Sequence, residues 1–267
     1  MSQKSDAVVF VDAHVHVYPK FKPARLFSSA HANFAHHAGA GAAPASAWQG
    51  ALMLSETNTC DWFAQARAAG GATMDGWRLH AADDDISLVA MGPAGERIYI
   101  VAGRQINTRE GIEVLTLAST VRIADGMSLD ATLKQGVESG AVVVFPWAAG
   151  KWLGRRGKLV ARTLQEHADK VFAGDNGGRP WLWPRPALFA DSEARGRPVL
   201  PGTDPLPLAG HEKRVGSYGF AMHGALKESH PGLDLRERLL KATVLRPYGH
   251  SETLRGFALN QIKLRLR

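Results

Sequence analysis

The chain has 267 residues, of which 45% are hydrophobic, and its 32 lysines and arginines against 25 acidic residues give a net charge of +7 and a pI near 9.7. This length allows a sizeable core and predicts one large domain over residues 1–267. The single cysteine, Cys60, excludes a disulfide within the chain and a zinc site built on several cysteines.

The predicted elements alternate between apolar strand patterns and helical patterns. The first half of the sequence predicts a strand at 7–11, a low-complexity loop at 38–47, a strand at 51–55, a helix from 60 to Gly70, antiparallel hairpins over 77–103 and a strand at 112–117. The second half predicts a helix at 129–139 capped by Ser128, a strand at 141–145, a helix near 155–168, strands at 170–176 and 197–204, and helices near 233–243 and 251–262. The alternation predicts a parallel sheet or barrel, in which polar residues at the carboxyl ends of strands converge on one face.

The first strand ends in two histidines that face the same side. In DAHVH (12–16), alternate residues of an extended strand project together, so His14 and His16 form a pair. Imidazoles are good ligands for zinc, manganese or iron. Asp204, at the end of a late strand, is the third candidate ligand, and Asp12 could orient a histidine ring from behind. The alternatives are hydrogen-bonded strand-end histidines and a turn-forming Asp204 in GTDP.

Other polar strand ends could share this site. Glu56 follows the second strand and is a candidate metal or proton-transfer residue, or a partner of the next helix. Asp175 and Asn176 lie in GDNGG, which also fits an ordinary turn. Arg179 could bind an anion or a carboxylate of the protein.

Several motifs resemble the polymerase and histidinol phosphatase (PHP) family over about residues 8–206. The matching segments are DAHVH, LMLSETNTCDWFAQARAAG, IVAGRQINTREGIEVLTL, AVVVFPW and GRPVLPGTDPLP. The resemblance implies a distorted (β/α)7-type, TIM-like barrel, here with an antiparallel hairpin excursion, and a metal-dependent hydrolase activity.

The chain lacks several ligands that this family uses for its three metal ions. Glu56 and Thr57 stand where the family has Asp-His, Gln105 replaces a glutamate, and the later family histidines fall on Leu115, Phe145 and Leu206. Carboxamide and alkyl side chains cannot offset the charge of several dications, so we expect one ion (Zn, Mn or Fe) rather than three, held by His14, His16 and Asp204.

These residues predict a metal-dependent hydrolase, most simply a phosphoesterase acting on a small anionic substrate. Glu56 or Asp175 would accept a proton, and the substrate-binding candidates are Arg104, Gln105, Lys151, Asn176 and Arg179. The alternatives are a catalytically degenerate barrel that binds an anionic ligand or a protein partner, and an amidohydrolase-type enzyme.

Charge and hydropathy bear on partners and location. The basic excess favours anionic partners, and nucleic acid is a further alternative because Trp181 and Trp183 could stack on bases. The polar N-terminus MSQKSD lacks the apolar core of a signal peptide, and apolar runs such as GAVVVFPWAAG are too short to span a bilayer, which predicts a cytoplasmic protein without a membrane span. The oligomeric state is not predicted.

Overall fold

The computed structural model describes residues 7–39 and 48–266. The helices are α1 (Pro23–His37), α2 (Trp62–Ala68), α3 (Leu129–Glu138), α4 (Gly154–Glu166), α5 (Ala187–Ala194), α6 (Pro231–Lys241) and α7 (Leu254–Arg265), with a 3-10 turn at His211–Arg214. The strands are β1 (Val8–Val15), β2 (Trp48–Leu54), β3 (Thr73–Met74), β4 (Trp77–Ala81), β5 (Ser87–Met91), β6 (Arg97–Val101), β7 (Gly103–Asn107), β8 (Glu113–Leu117), β9 (Val142–Pro146), β10 (Val171–Asn176), β11 (Leu200–Gly202), β12 (Tyr218–His223) and β13 (Arg246–Gly249). Residues 40–47 of the predicted low-complexity loop lie outside the described residues.

The strands form two mixed sheets, and neither sheet closes into a barrel. One has the order β13-β12-β1-β2-β6-β5-β4-β3, and the other has the order β11-β10-β9-β8-β7. The predicted distorted (β/α)7-type, TIM-like barrel is therefore wrong.

Antiparallel strands interrupt the repeat on which the barrel prediction depended. Among the strands of the described residues, parallel pairing joins β1, β2 and β6 in one sheet and β9, β10 and β11 in the other. The antiparallel hairpins expected over 77–103 are present as β4, β5 and β6, and they extend one sheet outward. On its opposite edge, β12 pairs antiparallel with β1 and β13 pairs antiparallel with β12, and the sequence did not predict these two strands.

The five-stranded sheet lies between two apolar clusters, because alternate residues of its strands point to opposite faces. Leu115, Val144 and Phe172 enter the larger cluster, which also contains the first two strands and α1. Phe145 and Val171 enter the smaller cluster, together with buried residues of α3, α4 and α5. This arrangement explains the continuous apolar run at 141–145, since both faces of β9 are covered.

Helix α1 was not predicted, and it packs closely on β2. It begins at Pro23, which suits the first helical turn, and buries Ala24, Phe27 and Phe34 along one face. A Cβ atom on Gly50 would lie 2.4 Å from the Phe34 ring, so glycine is what allows this contact. Within the described ranges 7–39 and 48–266, no helix is both long enough and apolar enough to cross a bilayer.

Candidate metal centre

Three side chains point their metal-binding atoms at one another where β1 meets β11. The Nε2 atoms of His14 and His16 are 3.1 Å apart. The Oδ1 atom of Asp204 lies 3.6 Å from Nε2 of His14 and 3.3 Å from Nε2 of His16. Both histidines are only 4% exposed, so the group is enclosed by protein.

The backbone of β11 holds this geometry by approaching β1 directly. The Asp204 amide donates to the His14 carbonyl at 2.8 Å, and Asp204 takes a left-handed conformation with φ 44°. A Cβ atom on Gly202 would lie 2.3 Å from the His14 amide nitrogen, so this approach requires glycine. The glycine of the GTD motif thus brings Asp204 within reach of the histidines.

Asp12, in β1, links this strand to residues that follow β11 and to residues that precede β12. Its carboxylate accepts hydrogen bonds from the Thr203 amide at 2.8 Å, the Thr203 hydroxyl at 2.6 Å and the Gly216 amide at 2.9 Å, and a longer one from the His14 amide at 3.2 Å. Burial raises the pKa of Asp12 to about 6, although these hydrogen bonds act in the opposite direction. Asp12 had been expected to orient a histidine ring; the contacts described here are instead to backbone and to Thr203.

Asp204 presents one oxygen to the histidines while Asn176 holds the other. The Asn176 amide donates to Oδ2 of Asp204, and the Asn176 oxygen accepts from the Gly178 amide at 2.6 Å. Burial acts to raise the pKa of Asp204, but the two histidines and Asn176 outweigh it and hold the pKa well below its usual range. Asp204 is therefore an anion that is oriented for a cation.

The electrostatics of His14 favour a free lone pair. Burial lowers its pKa, against the opposing effects of Asp204, Glu113 and a hydrogen bond with the Gln105 side chain. A neutral imidazole is the form that binds a metal. Gln105 thus lies beside the ligands, as expected for a residue of this site.

Glu113 is a site residue that the sequence interpretation missed. It lies at the start of β8 and forms an ion pair with Lys151, from the loop after β9. The charge of Glu113 acts to raise the pKa of His14, so the ion pair of Glu113 and Lys151 lies near the histidines. Lys151 is accordingly placed at the edge of the site, with its ammonium group already beside a carboxylate.

Glu56 contacts the next helix and also faces a cavity that His16 lines. Its Oε1 atom accepts from the Phe63 amide at 2.8 Å, in the first turn of α2, as the helix-partner alternative proposed. Burial raises the pKa of Glu56, which hydrogen bonding and Arg104 only partly oppose. Arg104 lies 3.8 Å from Oε2 of Glu56 and also pairs with Asp61, so its charge is largely offset.

Asp175 and Arg179 lie away from the metal ligands. Val171 and Ala173 of β10 enter the smaller apolar cluster, so Asp175 points to that face while Asn176 points toward Asp204. Two hydrogen bonds of 2.8 Å join Asp175 to Arg179, and the Tyr218 hydroxyl donates to the same carboxylate at 2.8 Å. The side chains of Asp175 and Arg179 thus pair with each other, whereas Asp175 had been expected to join the candidate metal ligands and Arg179 to bind the substrate.

Two cavities are lined by residues that the sequence predicted for the site. One, of about 470 Å³, is lined by His16, Tyr18, Phe21, Glu56 and Trp62 among others; we call it the His16 cavity. The other, of about 560 Å³, lies over Asp175, Arg179 and Tyr218. Of these two cavities, the His16 cavity is the one that a candidate metal ligand lines.

Comparison with known proteins supports the fold. No family model matches the chain, and no curated protein matches it. The crystal structure of PsfC from Pseudomonas syringae PB-5123 is similar, with a TM-score of 0.57 over 97% of this chain and 98% of that chain. The two sequences are 13% identical, so the likeness concerns the fold alone, an α/β arrangement of two open mixed sheets.

Proposed function

We propose that the protein is a metal-dependent hydrolase with one divalent ion held by His14, His16 and Asp204. The observation that carries the proposal is the spacing of the three ligand atoms, 3.1, 3.3 and 3.6 Å. Bonds of about 2.0–2.1 Å in tetrahedral geometry separate ligand atoms by about 3.3–3.4 Å. The three atoms therefore match one face of a tetrahedron, and the fourth corner is left for water or substrate.

The charges of the side chains support the same ion. A partly buried, ionised Asp204 and a His14 with lowered pKa together offer one negative charge and a free lone pair. Two imidazoles and one carboxylate suit zinc, manganese or iron. A set with one carboxylate favours one ion rather than the three of the PHP family, which the chain resembles in its motifs.

We propose a phosphate monoester as the substrate class. An ion at this centre would lower the pKa of bound water and polarise the phosphoryl oxygen. The water oxygen would bond to phosphorus as the bond from phosphorus to the ester oxygen breaks, the proton that the water gives up would pass to the Glu56 carboxylate, and the alcohol and inorganic phosphate would leave. Glu56, which faces the same cavity as His16, would transfer the proton to the alcohol oxygen, and Lys151 would contact the phosphoryl group from the edge of the site.

A ligand-binding protein without catalysis is the second candidate. The observation that favours it is the pairing of the expected anion-binding cations: Arg104 with Asp61, Lys151 with Glu113, and Arg179 with Asp175. A paired cation must leave its carboxylate to bind a phosphoryl group, which weakens that contact.

Metal analysis and hydrolysis assays on matched variants test the proposal. We expect about one zinc, manganese or iron ion per chain by elemental analysis, and phosphate release from ethyl phosphate with that ion. His16→Ala should lose metal and activity together, whereas His80→Ala, at an exposed histidine of β4, should keep both. Equal metal binding by wild type and His16→Ala would overturn the centre. A bound ion without turnover of any phosphate ester would favour the second candidate, and turnover of an amide instead would favour an amidohydrolase.

A further inference from the structure

We infer that the alcohol part of the substrate carries an uncharged aromatic group, which binds in the His16 cavity. This inference rests on the proposed function, because it assigns the part of the substrate that the metal does not hold. The cavity begins at His16 and extends toward Trp62 at the start of α2. A group attached to a phosphoryl oxygen at the metal would therefore continue into it.

Aromatic rings line the cavity next to the metal ligand. Tyr18 stacks on His16, with ring centroids 5.3 Å apart and an angle of 26° between the planes. Phe21 meets Tyr18 edge to face at 5.3 Å, and Trp62 packs against Phe27 at 6.1 Å. Rings of this kind bind a flat apolar group by stacking and by edge contacts.

The charges around the cavity select against a second anionic group. Among the residues that the structure describes, no lysine or arginine lines the cavity, whereas Glu56 and Asp61 do. Asp61 is already paired with Arg104 and Arg122, and the pKa of Glu56 is raised by burial. A second phosphate or a carboxylate on the substrate would meet no cation of this lining, whereas a neutral ring would meet Tyr18, Phe21 and Trp62.

The volume of the cavity limits the size of the group. About 470 Å³ falls within the usual range of roughly 300–1,000 Å³ for small-molecule sites. One or two rings fill such a space. Thr57 and Thr59 at the rim can contact a polar substituent, and their hydroxyl oxygens are 3.2 Å apart.

The test compares two esters whose leaving groups are alike apart from the ring. With metal-loaded protein, 2-phenylethyl phosphate should have a kcat/KM at least about 10-fold above that of ethyl phosphate, the discrimination that a filled apolar pocket provides. Thr59→Trp places a ring at the exposed rim of the cavity, in the space that the substrate ring would take, so kcat/KM for 2-phenylethyl phosphate should fall at least about 10-fold. Trp62→Ala should act in the same direction, with a thermal melt to confirm folding, and Trp181→Ala, at an exposed tryptophan over the other cavity, is the matched control.

A binding measurement separates this inference from the proposed function. Calorimetry of 2-phenylethylphosphonate, which cannot be hydrolysed, should show tighter binding than ethylphosphonate in wild type and equal binding in Thr59→Trp. If both esters are hydrolysed at equal rates and Thr59→Trp changes neither, the inference is overturned and the hydrolase stands. If neither ester reacts but the aromatic phosphonate binds selectively, the proposed function is overturned and the aromatic site stands.

Discussion

At the scale of single residues, the histidine pair was predictable because it depends on local geometry alone. His14 and His16 face one way in any extended strand. The same local rule does not decide between Asp175 and Asn176. One of these two adjacent residues faces the candidate ligands, and only the register of β10 in its sheet determines which one does. Glu113 was missed for a related reason. It begins an antiparallel strand, and the carboxyl-end rule for parallel strands does not select it.

Replacing Asn176 with alanine should weaken metal binding without unfolding the protein. The variant frees Oδ2 of Asp204, which Asn176 now holds, so the carboxylate loses its fixed orientation. Loss of such a partner typically costs about 10–100-fold in metal affinity. Competition with a chromophoric chelator measures the change, and an affinity equal to that of wild type would show that Asn176 does not orient Asp204.

Replacing Gln105 with glutamate should strengthen metal binding or add a second ion. The Gln105 side chain acts to raise the pKa of His14, and a carboxylate there adds the negative charge that the carboxamide lacks. We expect an affinity about 10-fold higher or a stoichiometry above one, measured by calorimetry and elemental analysis. Gln165→Glu, on the exposed side of α4, makes the same charge change away from the site and should have no effect.

The metal-free protein should lose stability as the pH falls below 6.5 because of His14. Burial lowers the pKa of this folded-state histidine, so the unfolded chain binds more protons in the window between the lowered value and 6.5. Denaturation at pH 7 and pH 5.5 should show a larger loss for wild type than for His14→Gln, which cannot titrate there. An NMR midpoint of the His14 ring above 6.5 in metal-free protein would contradict this.

At the scale of elements, strands and helices with strong patterns were found near their predicted places. Ser128 caps α3 by accepting from the Ala131 amide at 3.3 Å, as its position before the helix predicted. Helix α1 was missed because the alanine- and histidine-rich segment before the low-complexity run gives a weak apolar pattern. Strands β7, β12 and β13 were also missed. Strand β12 pairs with β1, which lies near the other end of the chain, and β13 then pairs with β12.

Gly202→Ala should separate β11 from β1 and disrupt the metal centre. The added methyl group would lie 2.3 Å from the His14 amide nitrogen, so the strands must move apart. We expect a loss of about 1–3 kcal/mol in the free energy of unfolding, as for other overpacked sites, together with weaker metal binding. Gly196→Ala is the control: its φ of 73° is strained but nothing lies within 4 Å, so stability should fall while metal affinity persists.

At the scale of the whole molecule, alternating strand and helix patterns predicted an α/β protein but not its closure. A barrel needs the parallel repeat to continue around the axis, whereas this chain turns to antiparallel pairing at β4 to β6 and again at β12 and β13. Such pairing depends on which strands meet, and local patterns do not encode it. The candidate centre survives this correction, because it requires only that β1 and β11 lie side by side.

Asp12→Asn should destabilise the whole molecule rather than the metal centre alone. The carboxylate accepts from Thr203 and Gly216 through two oxygens, and an amide nitrogen in place of one oxygen would face a donor. A buried donor without a partner costs about 1–3 kcal/mol. Chemical denaturation would measure this loss, and unchanged stability would show that the Asp12 contacts contribute little.

The contacts of Asp12 have a consequence for the order in which the protein is made. Its partners Thr203 and Gly216 are 191 and 204 positions further along the chain, and the ligand Asp204 is equally remote. A ribosome therefore synthesises both histidines long before it adds Asp204, whose carboxylate completes the candidate centre. A nascent chain halted before residue 200 should not retain the ion, while one halted well beyond residue 216 should, so metal capture would mark the completion of synthesis.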